Sequence, residues 1–156
     1  MSFRVGIGVD AHALVEGVPL VLGGVTVDHS RGLAGHSDGD VLAHALVDAL
    51  LGAAGLGDIG SLFPSGDERF RGADSLELLG EAYRQVRESG WTLVNADCIL
   101  IGEEPRIAPH RDEMRRRLSD AVDGGEVNVR ATTTDGLGFT GRGEGLAAHA
   151  VALLER

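Results

Sequence analysis

The stretch His36-Ser37-Asp38-Gly39-Asp40-Val41-Leu42-Ala43-His44-Ala45-Leu46-Val47-Asp48 packs two histidines and three aspartates into thirteen residues. At about 100° per residue, Asp40, His44 and Asp48 share one stripe of a helix, at i, i+4 and i+8. Val41, Leu42, Ala45, Leu46, Ala49, Leu50 and Ala53 fall on the other side and form its buried face. Such a stripe has the look of a site wall, since carboxylates and imidazoles are metal ligands and acid–base groups. It is equally compatible with a solvated polar face behind a loop in which Asp38 caps the helix. Upstream, Asp10 and His12 stand two apart, so in extended chain they point to the same side. A carboxylate and an imidazole projecting together suit half of a zinc site, or simply a polar turn. Downstream, Thr132-Thr133-Thr134-Asp135 brings hydroxyls and a carboxylate to a strand end.

Elements must position these groups. Phe3, Val5, Ile7 and Val9 alternate with other residues and predict a strand that ends near Asp10. Gly6-Ile7-Gly8-Val9-Asp10-Ala11 fits a loose dinucleotide pattern, but Gly17 and Pro19 forbid the helix that pattern needs. Pro19 to Val27, with Gly23-Gly24 inside, predicts a bent strand or hairpin. The helix after Asp40 runs to near Gly55. Asp38-Gly39-Asp40 is no EF-hand, because Leu42 takes the third ligand position. Gly57 to Asp67 reads as a long loop. Asp74, with Glu77 three residues on, predicts a capped helix with Leu76, Leu79, Tyr83 and Val86 inward and Gly90 as its stop. Trp91 to Ile101 is a strand. Glu103 to Pro109 is a rigid turn between prolines. His110 to Val122 is a helix whose Arg115, Arg116 and Arg117 form a solvated face. Val127 to Thr133 is a strand, and Leu146 to Glu155 reads as a last helix. The order predicts an α/β (α+β) fold, a single mixed β-sheet with helices packed on one face.

Composition narrows the partners. The 156 residues suit one domain, 1–156, with a full core. A net charge of −10 would repel nucleic acid, and any phosphorylated substrate would need a local device to overcome it. Metal ions, backbone N–H groups and a few placed arginines are the available devices. No apolar run reaches the roughly 18 residues of a membrane span, and Met1 to Arg4 leads straight into a strand, so a cytoplasmic protein is expected. The single Cys98 forbids an internal disulfide and sits in an apolar strand pattern as a buried, inert thiol.

With these pieces read in order, the chain resembles the 2-C-methyl-D-erythritol 2,4-cyclodiphosphate synthases. The matching segments are Gly8-Val9-Asp10-Ala11-His12, Ala34 to Asp40, Asp48 to Ala53, Gly57-Asp58-Ile59-Gly60, Leu62-Phe63-Pro64, Gly72 to Ser75, Pro109-His110 and Ala131 through Gly145. The resemblance implies a homotrimer with active sites between subunits. It implies Asp10, His12 and His44 as zinc ligands, a set of three that leaves a fourth position for substrate. It assigns His36 and Thr133 to transition-state stabilisation, with Ser37 beside them. Asp58, Ile59, Gly60, Phe63 and Asp67 match the substrate-holding loop. Gly102, Pro105, Arg106, Ile107 and Ala108 match the segment that receives cytosine. Thr132, Thr133, Thr134 and Asp135 match the phosphate segment, where Asp135 would serve a second metal, Mg²⁺ or Mn²⁺. Phe139 and Arg142 match further substrate or central-cavity positions, and that cavity could take a prenyl phosphate. Two positions depart from the family pattern: Asp135 replaces Glu, and Ser65 replaces Asp.

The implied reaction converts 4-diphosphocytidyl-2-C-methyl-D-erythritol 2-phosphate into the cyclic 2,4-diphosphate and CMP, in the non-mevalonate isoprenoid pathway. A metal-dependent phosphohydrolase of a nucleotide-linked substrate would use the same metal set with water as nucleophile. A non-enzymatic trimer binding prenyl phosphate, with Arg142 and Glu144 as a polar ring, is the third reading.

Overall fold

Two glycines decide how the layers meet. Gly6 and Gly8 lie on strand β1 (Phe3–Glu16), beneath helix α1 (Val41–Ala54). A Cβ on Gly8 would stand 1.8 Å from the Ala45 carbonyl oxygen, and one on Gly6 would stand 2.1 Å from that of Ala49. Only bare backbone permits this approach. The computed structural model describes residues 1–156, and α1 lies at its centre. Every residue of α1 is buried except Asp48, Gly52 and Ala54, as befits a helix that is apolar all round. Asp40 caps its start by accepting from the Ala43 N–H at 3.1 Å. Gly55 ends it in the left-handed region, at φ 73°.

The main sheet is mixed, as the sequence predicts. Its other strands are β4 (Arg31–Leu33), β5 (Thr92–Ile101), β6 (Glu126–Thr132) and β7 (Gly145–Glu155), in the order β4-β1-β7-β5-β6. β5 and β6 run parallel, while β1–β4, β1–β7 and β5–β7 are antiparallel. A separate hairpin joins β2 (Leu20–Leu22) to β3 (Val25–Val27). Its turn residues, Gly23 and Gly24, both have positive φ, as a two-residue turn of type I′ demands. Helix α1 packs on β1 and β7 and against α3 (Ser75–Glu88), which meets α4 (Arg111–Ala121). Two single turns, α2 (Ile59–Leu62) and α5 (Gly138–Gly141), complete the set. No helix is long and apolar enough to cross a membrane.

Three expectations need correction. Leu146 to Glu155 is not a helix but lies within β7, between β1 and β5. Alanine and leucine favour helix locally, but sheet pairing and packing override that weak preference. The alanines serve the same purpose as the β1 glycines: Ala148, Ala150 and Ala152 are buried on the side where α1 lies close. Second, β1 continues through Asp10 and His12 to Glu16, so those residues sit within a strand and not at its end. Third, Asp40, not Asp38, caps α1. Asp40 is fully buried and also accepts from the N–H groups of Gly23 at 2.9 Å and Gly24 at 2.7 Å. Burial pushes its carboxyl up to about 6, against the opposing pull of these backbone donors. It ties the hairpin turn to the helix and is no part of a site wall.

The opposite face of the sheet carries no helix. Phe3, Val5, Ile7 and Val9 of β1 and Val151 of β7 all lie there, between 44% and 69% exposed. A contiguous apolar face of this kind marks an interaction surface.

The contact between α1 and β1 yields a stability prediction. Gly8→Ala should cost about 3 kcal/mol or more, because the added methyl meets helix backbone that cannot rotate away. Urea unfolding of the variant checks this, and a loss under about 1 kcal/mol would mean the layers can separate freely.

Candidate active site

The parity of β1 places Gly6, Gly8, Asp10, His12 and Leu14 on the helix-covered side. The close approach at Gly8 brings the next turn of α1, with His44, over Asp10 and His12. His12 Nε2 lies 2.8 Å from Asp10 Oδ2, and His44 Nδ1 lies 3.1 Å from the same oxygen. The two histidines stand 3.3 Å apart, Nε2 to Nδ1. One ligand atom from each of the three residues falls within 4.8 Å of the others. A carboxylate oxygen and two imidazole nitrogens converging on one point fit a divalent cation of zinc type.

The electrostatics agree with that donor set. Burial alone would raise the Asp10 carboxyl, but hydrogen bonds from His12 and His44 overcome it and hold the group down at about 2. His12 is raised above the ordinary histidine value, first by its hydrogen bond to Asp10, with burial opposing. The cluster is thus a fixed negative centre that collects positive charge.

Around it lies a cavity of about 180 Å³, lined by Asp10, His12, His36, Ser37, His44, Ile59, Gly60 and Phe63, together with Ser65, Phe70 and Leu78. The first eight were expected from the sequence. Ser65 lines the cavity at the position where a carboxylate was expected. Phe63 and Phe70 meet edge to face, with centroids 5.2 Å apart. His36 donates from Nε2 to the Asp67 carbonyl at 2.7 Å, which ties it to the 63–74 loop. Asp48, the third member of the stripe, accepts from the Ile59 N–H at 2.7 Å and anchors α2.

Other expected residues lie outside this cavity. The Asp58 carboxylate caps α2 through Ser61, and that of Asp67 pairs with Arg69 at 2.7 Å. Gly102 to Ala108 and Thr132 to Asp135 form a second cluster, at the C-terminal ends of the parallel pair β5–β6. There the Gly102 N–H donates to the Thr132 carbonyl at 3.0 Å. Glu103, not singled out from sequence, accepts from the Gly136 N–H at 2.8 Å and binds the two loops together. Thr133 Oγ donates to Asp135 at 3.2 Å. Ile107 is buried. Arg142 pairs with Glu144 at 3.0 Å, and Phe139 is 42% exposed.

Sheet register relates the two clusters. Ala11 pairs with Ala147, Ala147 with Ile101, and Ile101 with Thr132. Paired residues share a face, so Thr132 lies on the open side of the sheet while Asp10 and His12 lie on the helix side. Three interstrand spacings, about 14 Å, separate the rows. Both clusters are at one end of the sheet, three strands apart, with Thr132 on the open side and Gly102 toward the helix side against Leu146.

Fold and site together define an α+β protein with a metal-competent Asp-His-His cluster in a cavity at one end of a mixed sheet. The sequence model of the YgbB family matches residues 3–155, and the chain belongs to that family. It is 60% identical over 153 residues to the 2-C-methyl-D-erythritol 2,4-cyclodiphosphate synthase of Moorella thermoacetica, covering 97% of this chain and 94% of that one. The bifunctional IspDF of Campylobacter jejuni superimposes with a TM-score of 0.94 at 45% identity; 98% of this chain covers 42% of that longer one. A solved 2C-methyl-D-erythritol-2,4-cyclodiphosphate synthase in its CDP-bound form gives a TM-score of 0.88 at 41% identity, covering 97% of this chain and 100% of that one.

A proton on His12 competes with a cation for Nε2, and its raised value shifts that competition upward in pH. Zinc affinity should be level above the raised His12 value and fall by at least about tenfold per pH unit below it. Asp10, held near 2, stays ionised throughout. Chelator competition between pH 8 and 5 reads this; a flat profile would mean that neither His12 nor His44 is a ligand.

Proposed function

We propose that the protein converts 4-diphosphocytidyl-2-C-methyl-D-erythritol 2-phosphate into 2-C-methyl-D-erythritol 2,4-cyclodiphosphate and CMP. It is a cyclising phosphorus–oxygen lyase of the non-mevalonate isoprenoid pathway. The near full-length match to cyclodiphosphate synthases carries this reading, on a fold that assembles the Asp10-His12-His44 cluster. Residues 1–156 act as one cytoplasmic domain.

Asp10, His12 and His44 would hold Zn²⁺, and Asp135 would serve a Mg²⁺ or Mn²⁺ with the diphosphate. When bound, such ions supply charge neutralisation at the phosphoryl oxygens. The protein's own task is positioning. The 2-phosphate oxygen forms a bond to the β-phosphorus, and the bond from that phosphorus to the CMP oxygen breaks. No side-chain nucleophile is needed. His36 is steered by the Asp67 carbonyl and Thr133 by Asp135, and both serve to orient the phosphates. Ser37, Asp58, Ile59, Gly60, Phe63 and Asp67 form the lip that receives the erythritol. Gly102, Pro105, Arg106, Ile107 and Ala108 receive cytosine, beside the phosphate segment Thr132 to Asp135.

The two clusters stand three strands apart on one sheet, with rows about 14 Å from each other, which favours a site completed by a second chain. A homotrimer with each site between neighbours would bring the two kinds of cluster together, and the exposed apolar strand face supports it. In that assembly Phe139, Arg142 and Glu144 would border the central cavity and could hold a prenyl phosphate.

Asp135→Asn should raise the Mg²⁺ or Mn²⁺ concentration for half-maximal activity while zinc content stays unchanged. An unaltered metal titration would reduce Asp135 to a loop residue. The reaction itself should give CMP and cyclic diphosphate in equal amounts. A tethered phosphate gains an effective molarity of roughly 10⁵–10⁸ M, which water at about 55 M lacks. Phosphorus NMR should show two mutually coupled diphosphate signals. Free phosphate, or a linear product carrying oxygen from labelled water, would establish a phosphohydrolase instead.

A further inference from the structure

The face of His44 turned away from the metal cluster is fully engaged. While Nδ1 points at Asp10 and His12, Nε2 lies 2.8 Å from Ser75 Oγ and 3.0 Å from Ser37 Oγ. Ser75 is the first residue of α3, completely buried, on a different element from any ligand. Its hydroxyl donates to Asp38 Oδ1. Asp38 Oδ2 accepts from the Ser75 N–H at 2.9 Å, and Oδ1 accepts also from the Asp40 N–H at 3.0 Å. The Asp38 N–H donates in turn to the Ala73 carbonyl at 3.2 Å.

These directions set a chain of roles. A carboxylate oxygen accepts, so the Ser75 hydroxyl points its hydrogen at Asp38 and donates there. The Ser75 oxygen then has only lone pairs left for His44. The group that satisfies it is an N–H at Nε2, and a neutral imidazole with its proton there carries its lone pair on Nδ1. That lone pair faces Asp10 and His12, where a cation would sit. Ser37 Oγ has no carboxylate fixing its proton, so its hydroxyl can turn either way and does not select a tautomer. We propose that Ser75, held by Asp38, is the positioning residue that fixes the tautomer and ring orientation of His44 for metal binding.

The proposal rests on the metal reading of Asp10, His12 and His44, and one set of measurements separates the two. Zinc alone is the probe, with affinity read by chelator competition on the intact protein. The second readout is the His44 Nε2–H proton resonance of the zinc-loaded protein. Ser75→Ala removes the hydroxyl but keeps the backbone N–H that anchors α3 to Asp38, and Asp74 still caps the helix by accepting from the Leu76 N–H at 2.9 Å. Removing such a partner of a metal-bound histidine typically costs about 10–100-fold in affinity. Ser75→Ala should therefore weaken zinc binding by about 10–100-fold and speed the solvent exchange of the Nε2–H. Asp38→Asn, whose amide can donate to Ser75 and reverse its hydroxyl, should weaken zinc in the same direction. If Ser75→Ala proves too unstable to purify, Asp38→Asn decides by the same two readouts. If the variants lose only thermal stability while zinc affinity and the Nε2–H signal stay as in the wild type, Ser75 is merely the start of a helix and the proposal fails. If His44→Ala retains full zinc affinity, the metal reading itself fails.

Discussion

The absence of two methyl groups holds the whole arrangement together. At Gly6 and Gly8 the backbone of β1 touches the carbonyls of α1, and no side chain of any size could stand between them. That contact sets the height of the central helix above the sheet. It thereby sets the reach of His44, one position before Ala45, toward Asp10, two positions beyond Gly8. The buried alanines of β7 extend the same low clearance across the next strand. The site depends on the thinness of the layer below it more than on any bond within it.

Charge is handled by separating two kinds of aspartate. Asp10 is half-buried but accepts from two imidazoles, which outweigh burial and hold its carboxyl low. Asp40, thirty residues on and just as acidic by type, is sealed in the core and saturated by N–H groups from two elements. One attracts positive charge to a cavity; the other staples a hairpin to a helix. Asp38 stands between them in sequence and in function, joining the loop before α1 to the first residue of α3. The carboxylates near the cavity are thus each committed to a partner: Asp10 to histidines, Asp48 to backbone, Asp38 to Ser75 and backbone, and Asp67 to Arg69.

Much of this was legible in sequence wherever the cause is local. The two-residue spacing of Asp10 and His12 maps to one strand face because the strand period is two. Gly23-Gly24 and Gly55 mark positions where φ is positive, and the chain turns and stops there. The apolar side of α1 was visible from its helical period. Non-local causes stayed hidden. Leu146 to Glu155 has the composition of a helix, and only its neighbours β1 and β5 make it a strand. Asp40 shares a helical stripe with His44, yet the hairpin from another part of the chain captures it. Ser75 falls in a segment that matches the family, but nothing local gives it a role beside the capping residue Asp74, since its partner His44 lies thirty-one positions away. The separation of the two clusters along the sheet requires the order of four strands, which no local pattern encodes.

That separation has a genetic consequence. In the proposed assembly each site takes its metal cluster from one chain and its nucleotide-binding loops from the next. A chain spoiled in its metal cluster and a chain spoiled in its nucleotide loops would each be dead alone. Co-assembled, they would form some interfaces in which both damaged halves fall together, and others in which both intact halves meet. Two null alleles of this single gene could then complement one another, with no wild-type subunit present.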